Sequence, residues 1–154
     1  MIDQAFAPGE RAAETPTMID TPFGPFTADE SSIVGFPEGL PGFEECRRFV
    51  VLAASHLEPL QCLHAVDGPP ASFLAIDPRR ALGRYRCALT ARDAGRLQVA
   101  DPADLLWLAL LAVDGDRITA NLRAPVVINP ARMVGYQVIP VNTLYPLKHP
   151  LDLG

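Results

Sequence analysis

Cys62 and His64 are the residues whose types and spacing could do chemistry in this chain. They lie two apart in Leu60-Gln61-Cys62-Leu63-His64-Ala65-Val66, an apolar-rich run that reads as a strand, so their side chains point to one face. A thiol beside an imidazole is half of a nucleophile–base pair or half of a zinc site. The spacing argues against the first, because two residues of strand rise by ~6.6 Å, beyond the reach of a direct hydrogen bond. The second needs more ligands, and Cys46, Cys87 or His56 would have to arrive from elsewhere in a chain without a CxxC pair. Free cysteines pack well as small buried hydrophobes, and that reading is preferred for all three. No metal, cofactor or catalytic residue is expected.

The carboxylates tell the same story. Glu38, Glu44 and Glu45 lie beside a Pro- and Gly-rich loop, and Asp114 and Asp116 flank Gly115. Acid–base chemistry requires burial to split the pKa values of such a pair, whereas turns leave them to solvent. GxSxG, HExxH, Walker and GxGxxG spacings are all missing. What remains is recognition. Asn121 and Arg123 leave a strand on the side opposite Leu122, next to a proline break, and Phe43 follows a rigid loop. Backbone capping by Asn121, solvation of Arg123 and inward packing of Phe43 are the structural alternatives. As partner-binding residues, these three are the candidates.

The elements that must position them are short. In Ile118 to Arg123 polar and apolar residues alternate with the period of a half-buried strand. Pro125 has no amide proton to give a neighbour, so the segment is an edge, bulge or bend there, before Val126-Val127-Ile128 resumes and Asn129-Pro130 turns. Further strands are predicted at 32–36, 49–52, 60–66, 72–77, 85–90, 96–99 and 137–141, with Thr21 to Thr27 extended and Asp67-Gly68 a hairpin turn. The segment Pro37 to Gly42 holds two prolines and two glycines, so it is a rigid loop; Phe43 is expected to turn inward and pin it. Leu105 to Val113 is ambiguous. Asp101-Pro102-Ala103-Asp104 is a good helix start, yet the run has the length of a buried strand and meets Asp114-Gly115-Asp116.

Composition narrows the class. The chain has 154 residues, 49% apolar and 20% charged, with 16 prolines. That length suits one domain with a real core, and so many prolines favour turns and broken strands over a helical bundle. The expected fold is mainly β, a single barrel-like domain of antiparallel or mixed strands with short helical turns, spanning 21–154 behind a loosely attached tail at 1–20. Net charge is −5, from 13 basic and 18 acidic residues, and the longest basic runs are the pairs Arg47-Arg48 and Arg79-Arg80. Direct nucleic-acid binding is therefore not expected. A nine-residue apolar run cannot cross a bilayer, which needs ~20 residues in helical form. No signal-peptide pattern opens the chain, and three scattered cysteines make no disulfide framework. A cytoplasmic location follows as an expectation.

Three stretches carry a resemblance: Gly35-Phe36-Pro37-Glu38-Gly39-Leu40-Pro41-Gly42-Phe43-Glu44, then Thr119-Ala120-Asn121-Leu122-Arg123-Ala124-Pro125-Val126-Val127-Ile128-Asn129, then Gly135-Tyr136-Gln137-Val138-Ile139 with Tyr145 after it. Together they resemble the FliW family of flagellar assembly factors, from about Phe23 to Leu151. The resemblance implies a non-enzymatic, β-rich monomer that binds flagellin and the RNA-binding translational regulator CsrA, relieving repression of flagellin mRNA by exchange between the two partners. It also favours a helical turn at 102–105 followed by a strand pairing with Ile118 to Ala124. The competing functions are a flagellin-only chaperone, a small-molecule-binding β-barrel and an enzyme using Cys62 and His64.

Overall fold

The computed structural model describes residues 17–140 and 144–152, together with the backbone of residues 3–4. Most of the tail expected at 1–20 thus lies outside the described residues. Its last part does not behave as a tail. Strand β2 (Thr17–Thr21) pairs with β3 (Gly24–Ala28) in an antiparallel hairpin, and β1 (Asp3–Gln4) runs parallel to β3 on the other side. The extended reading of Thr21 to Thr27 is interrupted by a tight turn at Pro22-Phe23, closed by the Thr21 hydroxyl, which donates to the Gly24 carbonyl at 2.9 Å.

The body is a meander that closes on itself. Strands β4 (Ile33–Gly35), β5 (Arg48–Ala53), β6 (Gln61–Ala65), β7 (Ser72–Ile76) and β8 (Leu106–Asp114) pair in succession, each antiparallel to the last. A short strand β9 (Arg117–Ala120) returns along β8, and β10 (Val126–Asn129) pairs with β8 and with β11 (Val134–Gln137). β11 then runs parallel to β4, which closes a barrel of seven strands in the order β10-β11-β4-β5-β6-β7-β8. Outside the barrel, β12 (His149–Pro150) covers β9.

Strand β5 shows why its sequence is continuously apolar rather than alternating. Phe49 and Val51 belong to the cluster inside the barrel, with Phe36, Leu63, Leu108, Val126 and Ile128. Val50 and Leu52 point the other way, into a second cluster with Phe26, Ala28 and Cys62 beneath the β2–β3 hairpin. A strand buried on both faces has no polar positions to spare. The lumen is filled by side chains rather than left hollow; Phe36 and Phe49 meet edge-to-face at 5.0 Å. Gly135 makes room for them, since a Cβ there would lie 2.7 Å from Phe36 Cζ.

The ambiguous run resolves as the resemblance implied. Pro102–Asp104 makes one 3-10 turn, capped by the Asp101 carboxylate accepting from Ala103 N at 3.0 Å, and the apolar residues after it form β8. Helix propensity loses here to burial between two neighbouring strands. Two strand expectations fail. Residues 85–90 hold no regular strand, and in place of a strand at 96–99 the chain forms helix α2 (Ala91–Leu97), which ends inside that segment. Thr90 caps that helix, its hydroxyl accepting from Asp93 N at 3.0 Å, and Gln98 ends it in the left-handed region at φ 53°. Gly95, a residue that favours turns, sits inside the helix. A second short helix, α1 (Pro78–Ala81), follows β7, with the Asp77 carboxylate as its cap. The last expected strand, at 137–141, lies three residues earlier as β11, and residues 141–143 fall outside the described ones.

Candidate partner-docking site

Asn121 and Arg123 sit on the bend between β9 and β10. The β8 ladder continues one step past β9, with Asn121 N donating to Leu110 O at 2.9 Å, and then the chain swings away. Pro125 cannot extend the ladder, so the bend needs other partners for its backbone. Asn121 supplies one: its Oδ1 accepts from Arg123 N at 3.1 Å and Ala124 N at 3.0 Å. Gln137 Nε2 donates to Ala124 O at 2.8 Å, and Val138 N donates to Pro125 O at 3.0 Å. Asn121 thus shapes the bend through its carboxamide oxygen. Leu122 is fully buried and Arg123 is exposed, as the alternation predicted.

Two tyrosines staple this bend to distant segments. Tyr85 is buried and donates its hydroxyl to Leu122 O at 2.9 Å. Its ring lies 4.5 Å from the ring of Tyr145. The Tyr145 hydroxyl accepts from Arg86 N at 2.9 Å, and the Tyr145 carbonyl accepts from Arg123 Nε at 3.1 Å. Leu122 N completes the staple by donating to Pro146 O at 3.1 Å. Burial pushes the Tyr85 phenol far up from its ordinary range, so it stays protonated and keeps donating. Tyr85 was read as the start of a strand; nothing local in the sequence joins it to a residue 60 positions later.

Phe43 stands on another element. Gly39 adopts φ +62°, and a Cβ on it would lie 2.7 Å from Glu44 Cα, so the loop folds back onto the Phe43–Glu44 backbone only with glycine there. Leu40, not Phe43, is the side chain the loop buries. Contrary to the inward expectation, Phe43 is 38% exposed, resting edge-on against Phe73 at 5.0 Å. The turn Leu40–Phe43 ends in a close backbone bridge, and burying Leu40 there turns Phe43 to the rim. The loop is tied to α2 by Glu38, whose carboxylate meets Arg96 Nη1 at 2.6 Å; Arg96 also bonds Asp93 at 2.8 Å and lies over the Tyr136 ring at 4.2 Å. Glu44 accepts from Gly42 N at 3.0 Å, and that bond holds its carboxyl below the ordinary carboxylate range.

Cys62 and His64, the residues with possible chemistry, have different surroundings. Cys62 is fully buried among Phe26, Val50 and Leu52, and burial pushes its thiol up to about 12, far from a thiolate at neutral pH. His64 Nδ1 is 2.6 Å from Ser72 Oγ, and partial burial lowers its pKa. Among the described residues, no group of three or more His, Cys, Asp or Glu side chains could hold a metal ion. No helix among them is long and apolar enough to cross a membrane.

Comparison with known proteins bears on what such a surface serves. The family model described as FliW protein matches residues 17–151. The flagellar assembly factor FliW of Geobacter sulfurreducens is 33% identical over 132 residues, covering 84% of this chain and 82% of its own. That of Moorella thermoacetica is 36% identical over 132 residues, with 84% of each chain covered. A crystal structure of the flagellar assembly factor FliW superposes with a TM-score of 0.79 at 35% identity, covering 90% of this chain and 99% of that one.

Proposed function

The chain belongs to the FliW family, and with that as premise we propose that it is a flagellar assembly factor which binds flagellin and, in exchange, the translational regulator CsrA. The observation that carries this reading is the match over residues 17–151, which takes in the whole barrel and the stapled bend at 121–125. Free flagellin would hold the protein and leave CsrA able to repress flagellin mRNA; export of flagellin would release the protein to bind CsrA. The flagellin-facing candidates are Phe43 on its loop, with Asn121 and Arg123 on the bend. Phe43 offers an exposed aromatic edge, Arg123 an exposed cation, and Asn121 the hydrogen bonds that fix the direction in which Arg123 leaves the surface.

A net charge of −5 suits the second partner. An acidic body docked beside an RNA-binding surface repels phosphate and weakens RNA binding without occupying the RNA site. The protein acts in this reading as a monomer in the cytoplasm, without a cofactor and without catalysis. Calorimetric titration against flagellin and CsrA from the same organism tests it. Tight binding to each, with displacement of one by the other, is the expected result. Binding to flagellin alone would reduce the role to that of a subunit chaperone, and binding to neither would overturn the reading.

A further inference from the structure

The longest basic runs in the sequence are arginine pairs, but four arginines fall within residues 79–86, and the fold adds a fifth from far along the chain. Arg79 and Arg80 lie on α1, Arg84 and Arg86 in the loop after it, and Arg123 on the β9–β10 bend; all five are exposed. Tyr145 gathers three of them, since its hydroxyl lies between Arg86 N and Arg84 O while its carbonyl takes Arg123 Nε. Arg79 is paired with Asp77 at 3.2 Å. Among the described residues, no carboxylate lies within ion-pair distance of Arg80, Arg84, Arg86 or Arg123. On a chain of net charge −5, this is a local surplus of positive charge with a single carboxylate, Asp77, paired to it among the described residues.

Two of these arginines, Arg79 and Arg86, line an open hollow of about 260 Å³, together with Trp107, Pro78, Pro102 and Cys87. We propose that this hollow docks an extended acidic polypeptide segment, whose carboxylates meet Arg86 and its neighbouring arginines while an adjacent apolar side chain lies on Trp107 and the two prolines. Charge complementarity selects the occupant. Arginine forks match carboxylates bidentately, and the apolar lining asks for a side chain between the charges. A nucleic acid fits less well. The Pro102–Asp104 turn, which lends Pro102 to the lining, also carries the exposed carboxylates of Asp101 and Asp104, and these would repel a continuous phosphate chain. A peptide can place its acids on one side only. The inference goes beyond the flagellin and CsrA reading: it shares Arg123 with that reading, but it rests on Arg86 and the hollow and concerns the chemistry of the occupant.

Trp107 is the single tryptophan of the chain, so its emission reports on the hollow in the full-length protein. The probes are a synthetic peptide alternating glutamate pairs with leucine, its glutamine counterpart, and a single-stranded oligouridylate, each also titrated by calorimetry. The glutamate peptide is expected to bind saturably and shift the Trp107 emission. Its affinity should fall about tenfold in Arg86→Glu and in Arg84→Glu, and weaken as salt is raised. Both arginines are exposed and make no ion pair among the described residues, so the variants should melt as the parent does. Four results would each overturn the proposal: no binding of the glutamate peptide; equal binding of the glutamine peptide; binding that leaves Trp107 unmoved or survives both charge reversals; or tighter binding of the oligouridylate.

Discussion

Strand β8 runs through two environments with nearly one composition. Its first half, Leu106 to Leu110, lies between β10 on one edge and β7 on the other, and Leu108 and Ala109 are fully buried. Its second half has left the barrel, paired with β9 alone, and Val113 is 64% exposed. The difference teaches that apolar character did not decide which residues form the core; the number of neighbours did. A run that looks uniform in the sequence is partly barrel stave and partly projecting ribbon.

Substitution at the two ends should separate these environments most widely. Leu108→Ala is expected to cost about 2–5 kcal/mol, as a large-to-small change in a filled core, whereas Val113→Ala should stay within about 0.5 kcal/mol. Denaturant unfolding of both measures the contrast, and equal losses would break it. A smaller effect is expected at the staple, which ties the projecting region back to the barrel. Tyr85→Phe leaves the Leu122 carbonyl without its buried donor and should cost about 1–3 kcal/mol, read by the same unfolding curves.

The smallest effect is one of pH, in the middle strand of the meander, β6. His64 is held below its ordinary 6.5 by burial, so the folded state favours the neutral ring more than the unfolded chain does. Its contribution is complete above 6.5 and is lost as pH falls through the lower folded value. Thermal melts should therefore show a melting temperature declining below pH 6.5, with a shallower decline in His64→Gln. An unchanged slope would assign the acid sensitivity to other groups.

Much of the meander was legible because burial on one or both faces imposes a pattern on each strand. Phe49-Val50-Val51-Leu52, the alternation from Ile118 to Leu122 and the turn at Asp67-Gly68 could all be read locally. Helix α2 was not, because Gly95 argues for a turn on local rules, and Thr90, read as the end of a strand, is in fact the cap of the helix. Leu105 to Val113 could not be settled by propensity at all; only its place between β7 and β10 makes it a strand. At the candidate site the bend and the exposure of Arg123 followed from Pro125 and the period of two. The Tyr85–Tyr145 contact did not, and neither did the approach of Arg123 to Arg84 and Arg86 through Tyr145, since both depend on which loops the barrel brings side by side.

The parallel seam between β11 and β4 joins the barrel through one registered pair, Val134 with Gly35, helped by Gly35 N donating to Met133 O at 2.9 Å. These segments lie about a hundred residues apart in the chain, so the loop they close is the longest and entropically the costliest step of assembly. During synthesis the strands from β4 to β8 emerge first and carry their apolar inner faces uncovered until β10 and β11 leave the ribosome. The last quarter of the chain is therefore what converts a sticky open sheet into a sealed one, and truncation there exposes the interior rather than trimming an edge.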